Sequence, residues 1–120
     1  MPKTVLVVED YADVRSMMKT LIGIYGYKVV EAADGYEAVE KTVEFQPDLI
    51  LMDLAMPGMD GATATKIIRK IEGFEYVSIV ALTAYENTSV EKTIRAGFDE
   101  VIVKPLHFEN LESFLNLYLA

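Results

Sequence analysis

Five short runs rich in branched apolar residues recur along the chain: "TVLVV" (4–8), "YKVVEA" (27–32), "LILM" (49–52), "VSIVALT" (77–83) and "EVIV" (100–103). Each is followed by a longer segment with helical character. Apolar runs without strict polar alternation suit strands covered on both faces. Strands that alternate with helices close through right-handed crossovers into a parallel sheet with helices on either side. The expected fold is therefore α/β, a doubly wound five-stranded parallel (βα)5 sheet. At 120 residues the chain is expected to form a single domain, 1–120, with no repeats or linkers.

The intervening segments carry the helical signal unevenly. From Tyr11 to about Tyr25, the residues Val14, Met17, Met18, Leu21, Ile22 and Tyr25 fall three and four apart, and Gly26 ends the helix. Helical geometry cannot bury Met17 and Met18 equally, so one is expected at the surface, available to an adaptable docking face. Asp34-Gly35 turns into a second helix (36–45) with a weaker stripe of Ala38, Val39, Val43 and Phe45. "ATATKIIRKIEGF" (62–74) reads as a third helix ending at Gly73, "SVEKTIRAG" (89–97) as a fourth closed by Gly97, and "ENLESFLNLYL" (109–119) as the last.

Charge narrows the class of partner. Nineteen acidic against 11 basic residues give a formal net charge of -8, which repels a phosphate backbone, so no direct nucleic-acid binding is expected. Divalent cations and basic protein surfaces fit better. No apolar run approaches the ~20 residues of a membrane span, so no membrane insertion is expected. The N-terminus lacks the pattern of a signal peptide. With no cysteine, disulfide and thiolate chemistry are excluded, and a cytoplasmic location is the expectation.

In open parallel sheets, functional groups gather beyond the carboxyl ends of the strands. Those ends deliver Glu9 and Asp10, Asp53, Thr83 and Lys104. If the order is the flavodoxin-like 2-1-3-4-5, the first and third strands are neighbours and three carboxylates crowd together. Such groups either take up protons or recruit a cation. Hard oxygen donors with room for water suit Mg²⁺, the expected cofactor. Taken singly, an aspartate at a strand end is ordinarily a turn former, Glu9 and Asp10 are helix caps, Thr83 is a β-branched filler and Lys104 a loop residue. His107, the sole histidine, reads as a surface residue.

"VVED", "LMDLAMPGMDG", "ALTA" and "GFDEVIVKP", in this order and spacing, resemble the receiver domain of two-component response regulators over about Lys3 to Leu119. The resemblance implies that Asp53 accepts a phosphoryl group from a histidine kinase or histidine phosphotransfer protein. It implies Mg²⁺ bound by Asp10, Asp53 and the backbone carbonyl of Ala55, with Glu9 acting through water. It implies that Thr83 and Lys104 bind phosphoryl oxygens and that the Pro105 peptide bond is cis. Such a domain catalyses its own phosphorylation and dephosphorylation without turning over an external substrate. It signals to a downstream protein target through the fourth helix, fifth strand and fifth helix, while the first helix and the loop after Lys104 face the kinase. Backbone N–H groups after Asp53 and at Ala84 fit a phosphoryl cradle.

The chain also departs from that pattern. Val101 stands where many receivers carry the aromatic residue of the switch, and Tyr85 is expected to take a related part. Ala55 and Tyr85 flank the family's route for hydrolytic water, and Tyr85→Ala is expected to alter the acyl-phosphate lifetime. Two rivals differ in kind. A phosphorylation-independent interaction module of the same fold would need none of the five polar groups. A small-molecule aspartyl phosphatase would want an acid at position 55, where Ala55 stands.

Overall fold

The computed structural model describes residues 2–85, 88–104 and 108–120. Among the described residues, five strands alternate with five helices: β1 (Thr4–Val8), α1 (Ala12–Ile24), β2 (Lys28–Ala32), α2 (Gly35–Phe45), β3 (Leu49–Asp53), α3 (Gly61–Arg69), β4 (Ser78–Thr83), α4 (Val90–Arg95), β5 (Glu100–Val103) and α5 (Phe108–Leu119). All strand pairings are parallel and the order is β2-β1-β3-β4-β5, as expected. The strand order reverses between β1 and β3, which opens a crevice at their carboxyl ends.

Period-two alternation splits each central strand between two cores. Leu6, Val8, Ile50, Met52, Ile79 and Ala81 pack with Ala38 of α2 and Ala64 and Ile68 of α3. Val5, Val7, Leu49, Leu51, Val80 and Leu82 pack with Met18 and Ile22 of α1 and Leu111 and Leu115 of α5. Asp53 ends β3 on the same alternation as Leu49 and Leu51. Thr83 ends β4 on the alternation of Ile79 and Ala81, so the two leave opposite faces of the sheet. Of the methionine pair, Met18 is buried and Met17 exposed.

Several local readings are corrected. The buried face of α2 is Gly35, Ala38 and Thr42, while Val43 and Phe45 are outward. Thr42 enters the core because its hydroxyl donates to the Ala38 carbonyl at 2.7 Å, which satisfies it inside the helix. α3 stops at Arg69, ahead of Gly73, and the chain continues through i→i+3 turns, Lys70 to Ile67 and Ile71 to Ile68. Asp10 does not cap α1: Tyr11 is the capping residue and contributes no side-chain bond.

Two glycines bring the loop after β3 into place. A Cβ on Gly61 would lie 2.2 Å from the Asp53 carbonyl oxygen, so α3 starts directly against the end of β3. A Cβ on Gly35 would meet the Met59 carbonyl oxygen at 2.6 Å, so α2 abuts the same loop. Asp60 then caps α3 by accepting from the Thr63 N–H at 2.8 Å, a bond that contributes about 1 kcal/mol. No described helix is long and apolar enough to cross a membrane.

Candidate functional site

β1, β3 and β5 each end in a charged group, and the three ends meet. Glu9 continues the β1 ladder by donating its N–H to the Ala32 carbonyl at 3.1 Å. Asp53 follows Met52, whose partner across the β1–β3 pair is Val8. Lys104 donates its N–H to the Thr83 carbonyl at 2.7 Å, which carries β5 one step past its last ladder residue. Convergence of groups so distant in the chain is a direct product of the 2-1-3-4-5 order.

Carboxylate oxygens of Glu9, Asp10 and Asp53 all lie within 4.8 Å of one another. Lys104 Nζ sits 2.7 Å from Glu9 Oε1 and 3.3 Å from Asp53 Oδ2. Glu9 and Asp53 are buried, Asp10 half-buried. One ammonium thus serves two buried carboxylates, and a third carboxylate crowds them. Among the described residues, the other hydrogen bonds to Glu9 and Asp53 include local ones. Asp53 Oδ1 accepts the Ala55 N–H at 3.3 Å, Glu9 Oε2 accepts the Tyr11 N–H at 3.4 Å, and Arg15 donates to the Glu9 carbonyl at 2.7 Å.

The electrostatics follow from this crowding. Burial, together with the neighbouring Glu9, pushes the Asp53 carboxyl up to about 7. Burial acts against ionised Glu9 as well, but hydrogen bonds from Asp53 and Lys104 outweigh it and hold Glu9 below the usual carboxylate range. Lys104 is raised: burial works against its charge, and the two carboxylates more than compensate. Without a metal, Lys104 favours the ionised form of Glu9, and burial beside Glu9 favours a proton on Asp53.

An oxygen-only donor set this compact, partly open through Asp10, fits Mg²⁺, which takes one or two carboxylates and retains water. Lys104 engages both Glu9 and Asp53, while Asp10 is the most open of the three carboxylates.

Thr83 is buried at the end of β4, its hydroxyl accepting the Tyr85 N–H at 3.1 Å and lying 2.8 Å from the Thr88 hydroxyl. Tyr85 is exposed. Val101 pairs with Ala81 across β4–β5 and packs against the α2/α3 core, away from the carboxylates. Ala55 is exposed beside the loop turn. The expectations on Pro105 and His107 lie outside the described residues. Sequence reasoning missed Arg15, whose signal was a lone basic residue one and a half turns after the acidic pair. It also missed Gly61, which read only as turn punctuation.

A cavity of about 350 Å³ opens beside Lys104 between α1 and α5, lined by Val14, Met17, Met18, Leu21 and Leu111 among others. It joins the polar site to an apolar surface.

Comparison with known proteins agrees with the geometry. The family model described as "Response regulator receiver domain" matches residues 5–116. The chain is 41% identical over 117 residues to a chemotaxis protein CheY of Thermotoga maritima, covering 97% of each chain. A crystallised chemotaxis protein CheY4 of Vibrio cholerae superposes with a TM-score of 0.91 at 30% identity, over 99% of this chain and 100% of that one. The receiver domain of the sensor histidine kinase PA1611 from Pseudomonas aeruginosa, solved with magnesium coordinated in its active-site cleft, superposes with a TM-score of 0.89 at 31% identity, over 98% of both chains.

Proposed function

The chain belongs to the response regulator receiver domain family, and from that premise we propose that Asp53 is the phosphoacceptor of a Mg²⁺-dependent signalling switch. The observation that carries this reading is the convergence of Glu9, Asp10, Asp53 and Lys104 at one sheet edge. The phosphoryl donor is a phosphohistidine on a histidine kinase or phosphotransfer protein.

An Asp53 carboxylate oxygen attacks phosphorus in line. The O–P bond forms as the P–N bond breaks, and the bonding pair leaves on the imidazole nitrogen, which takes up a proton. Phosphoryl transfer asks for positioning and positive charge around the equatorial oxygens. Lys104, already 3.3 Å from Asp53, is placed to pair with one of those oxygens, and the Thr83 hydroxyl serves another. Asp10, Asp53 and the Ala55 carbonyl would hold Mg²⁺, with Glu9 acting through a water, and the bound ion would supply further positive charge and favour the ionised form of Asp53. Glu9 keeps Lys104 oriented. Hydrolysis by in-line water regenerates the carboxylate, and the exposed side chains at positions 55 and 85 set the access of that water.

The exposed Met17 and the apolar cavity beside α1 suit the kinase side of the exchange. The phosphorylated form signals to a downstream protein through the face of α4, β5 and α5.

Incubation with acetyl phosphate and Mg²⁺, followed by intact mass measurement, tests the assignment. Wild type is expected to gain the mass of one phosphoryl group, and Asp53→Asn none. An unmodified wild type would replace this reading with that of a phosphorylation-independent module, and an adduct that persists in Asp53→Asn would overturn the assignment of Asp53 as the acceptor.

A further inference from the structure

The Thr83 hydroxyl owns one proton, and hydrogen-bond accounting shows where it goes. Thr88 Oγ1 donates to the Tyr85 carbonyl oxygen at 2.8 Å, and because a carbonyl only accepts, that bond consumes the Thr88 proton. The Thr83 and Thr88 hydroxyl oxygens lie 2.8 Å apart, so the proton between them comes from Thr83. Thr83 Oγ1 also accepts the Tyr85 N–H at 3.1 Å. Its single donor is thus committed to Thr88 and is unavailable to an oxygen on Asp53.

This inference rests on the reading of Asp53 as acceptor. We propose that Thr88 is a positioning residue whose hydroxyl latches Thr83 away from the phosphoryl group, and that phosphorylation of Asp53 must break this bond and so reach the start of α4. The next residue, Ser89, caps α4 by accepting the Lys92 N–H at 3.2 Å, and its carbonyl accepts both the N–H and the hydroxyl of Thr93. A released Thr88 therefore moves the residue adjoining that cap. Val101, on the same sheet face as Thr83, has no polar atom with which to take over the Thr88 contact. The latch is supplied locally, from five residues down the chain.

The test is titration of beryllofluoride, a phosphoryl mimic, with Mg²⁺ onto the full chain, followed by NMR. Wild type, Thr88→Val, Thr88→Ser, Thr83→Val and the Thr83→Val/Thr88→Val pair are compared. Removing a competing hydrogen bond is expected to tighten beryllofluoride binding by Thr88→Val roughly two- to tenfold. Thr88→Ser keeps the hydroxyl and should bind like wild type. In the Thr83→Val background the Thr88→Val change should have no further effect, a coupling that a purely structural role would not produce. In wild type, the Thr88 methyl and the Ser89 and Val90 amides should shift on loading, a readout that does not depend on any variant folding.

Thr88→Val binding no tighter than wild type, an additive double variant, or unmoved wild-type Thr88 signals would each overturn the latch and leave the acceptor assignment standing. A wild type that takes up no beryllofluoride would overturn both.

Discussion

Asp53 must be ionised to attack phosphorus, yet its surroundings favour the neutral acid, and this conflict is measurable as stability. Its carboxyl sits at about 7 in the folded chain, above the ordinary value of 3.8. Between those values the folded state holds a proton that the unfolded state releases. The contribution of this group is therefore fully present at low pH and is lost as pH rises toward 7. Asp53→Asn keeps the shape and removes the titration. In chelator-treated protein, the variant is expected to be more stable than wild type at pH 8, by about 1–3 kcal/mol, and near parity at pH 4–5. Urea unfolding at the two pH values checks this; an advantage that is constant or larger at low pH would contradict the burial argument. The acid cluster was legible from strand-end positions once the order 2-1-3-4-5 was assumed, because a parallel sheet sends every strand's carboxyl end to one edge and that order makes the first and third strands neighbours. Which carboxylate holds the proton was not, since that depends on burial, on the hydrogen bond between Glu9 and Asp53, and on Lys104 lying closer to Glu9, none of which a spacing rule encodes.

Elements differ in how far their sequence betrays them. β1, β3 and β4 were found to within a residue because their runs are buried on both faces, leaving few polar residues to blur the ends, whereas the edge strands β2 and β5 are only partly buried. α2 misled because counting apolar residues cannot see a threonine that satisfies itself on the preceding turn and packs its methyl inward. Phe45, taken for core, instead lies exposed beneath Lys28 and Lys41, whose ammonium groups are 5.3 and 5.7 Å from the ring centroid. α3 ended early because i→i+3 bonds replace the helical ladder after Arg69, a change that the apolar periodicity does not register. The start of α3 makes the sharpest prediction at this scale. Gly61→Ala would drive a methyl into the Asp53 carbonyl, and backbone cannot yield as a flexible side chain does, so a loss of about 2 kcal/mol or more is expected. Gly23→Ala, inside α1 with nothing within 4 Å of the new methyl, should instead gain about 0.5 kcal/mol from helix propensity. Thermal melts of the two variants make the comparison, and Gly61→Ala should also lose Mg²⁺ affinity because the end of β3 shifts.

Across the whole molecule, the two ends of the sheet do different work. The carboxyl ends carry the crowded carboxylates, a destabilising arrangement without a metal. At the amino ends of β4 and β5, Arg69 donates to the Gly97 carbonyl from both Nε and Nη2, at 2.9 and 2.8 Å, and to the Val77 carbonyl at 2.5 Å. It also pairs with Asp99 at 3.2 Å, and the same Asp99 oxygen accepts the Ile79 N–H. One mostly buried guanidinium thus ties α3 to the entrances of two strands, a use of its fixed fork that Lys cannot copy. Arg69→Met fills the space with similar bulk but strands several carbonyls, each costing on the order of 1 kcal/mol when left unpaired. The variant is expected to lose about 2–4 kcal/mol in urea unfolding yet to bind beryllofluoride and Mg²⁺ with wild-type affinity under conditions where it is folded. If affinity falls along with stability, the two ends are mechanically coupled and the separation is wrong. If affinity holds, the fold keeps its strain at one edge by anchoring the other, so the site can change charge and geometry without loosening the sheet that assembles it.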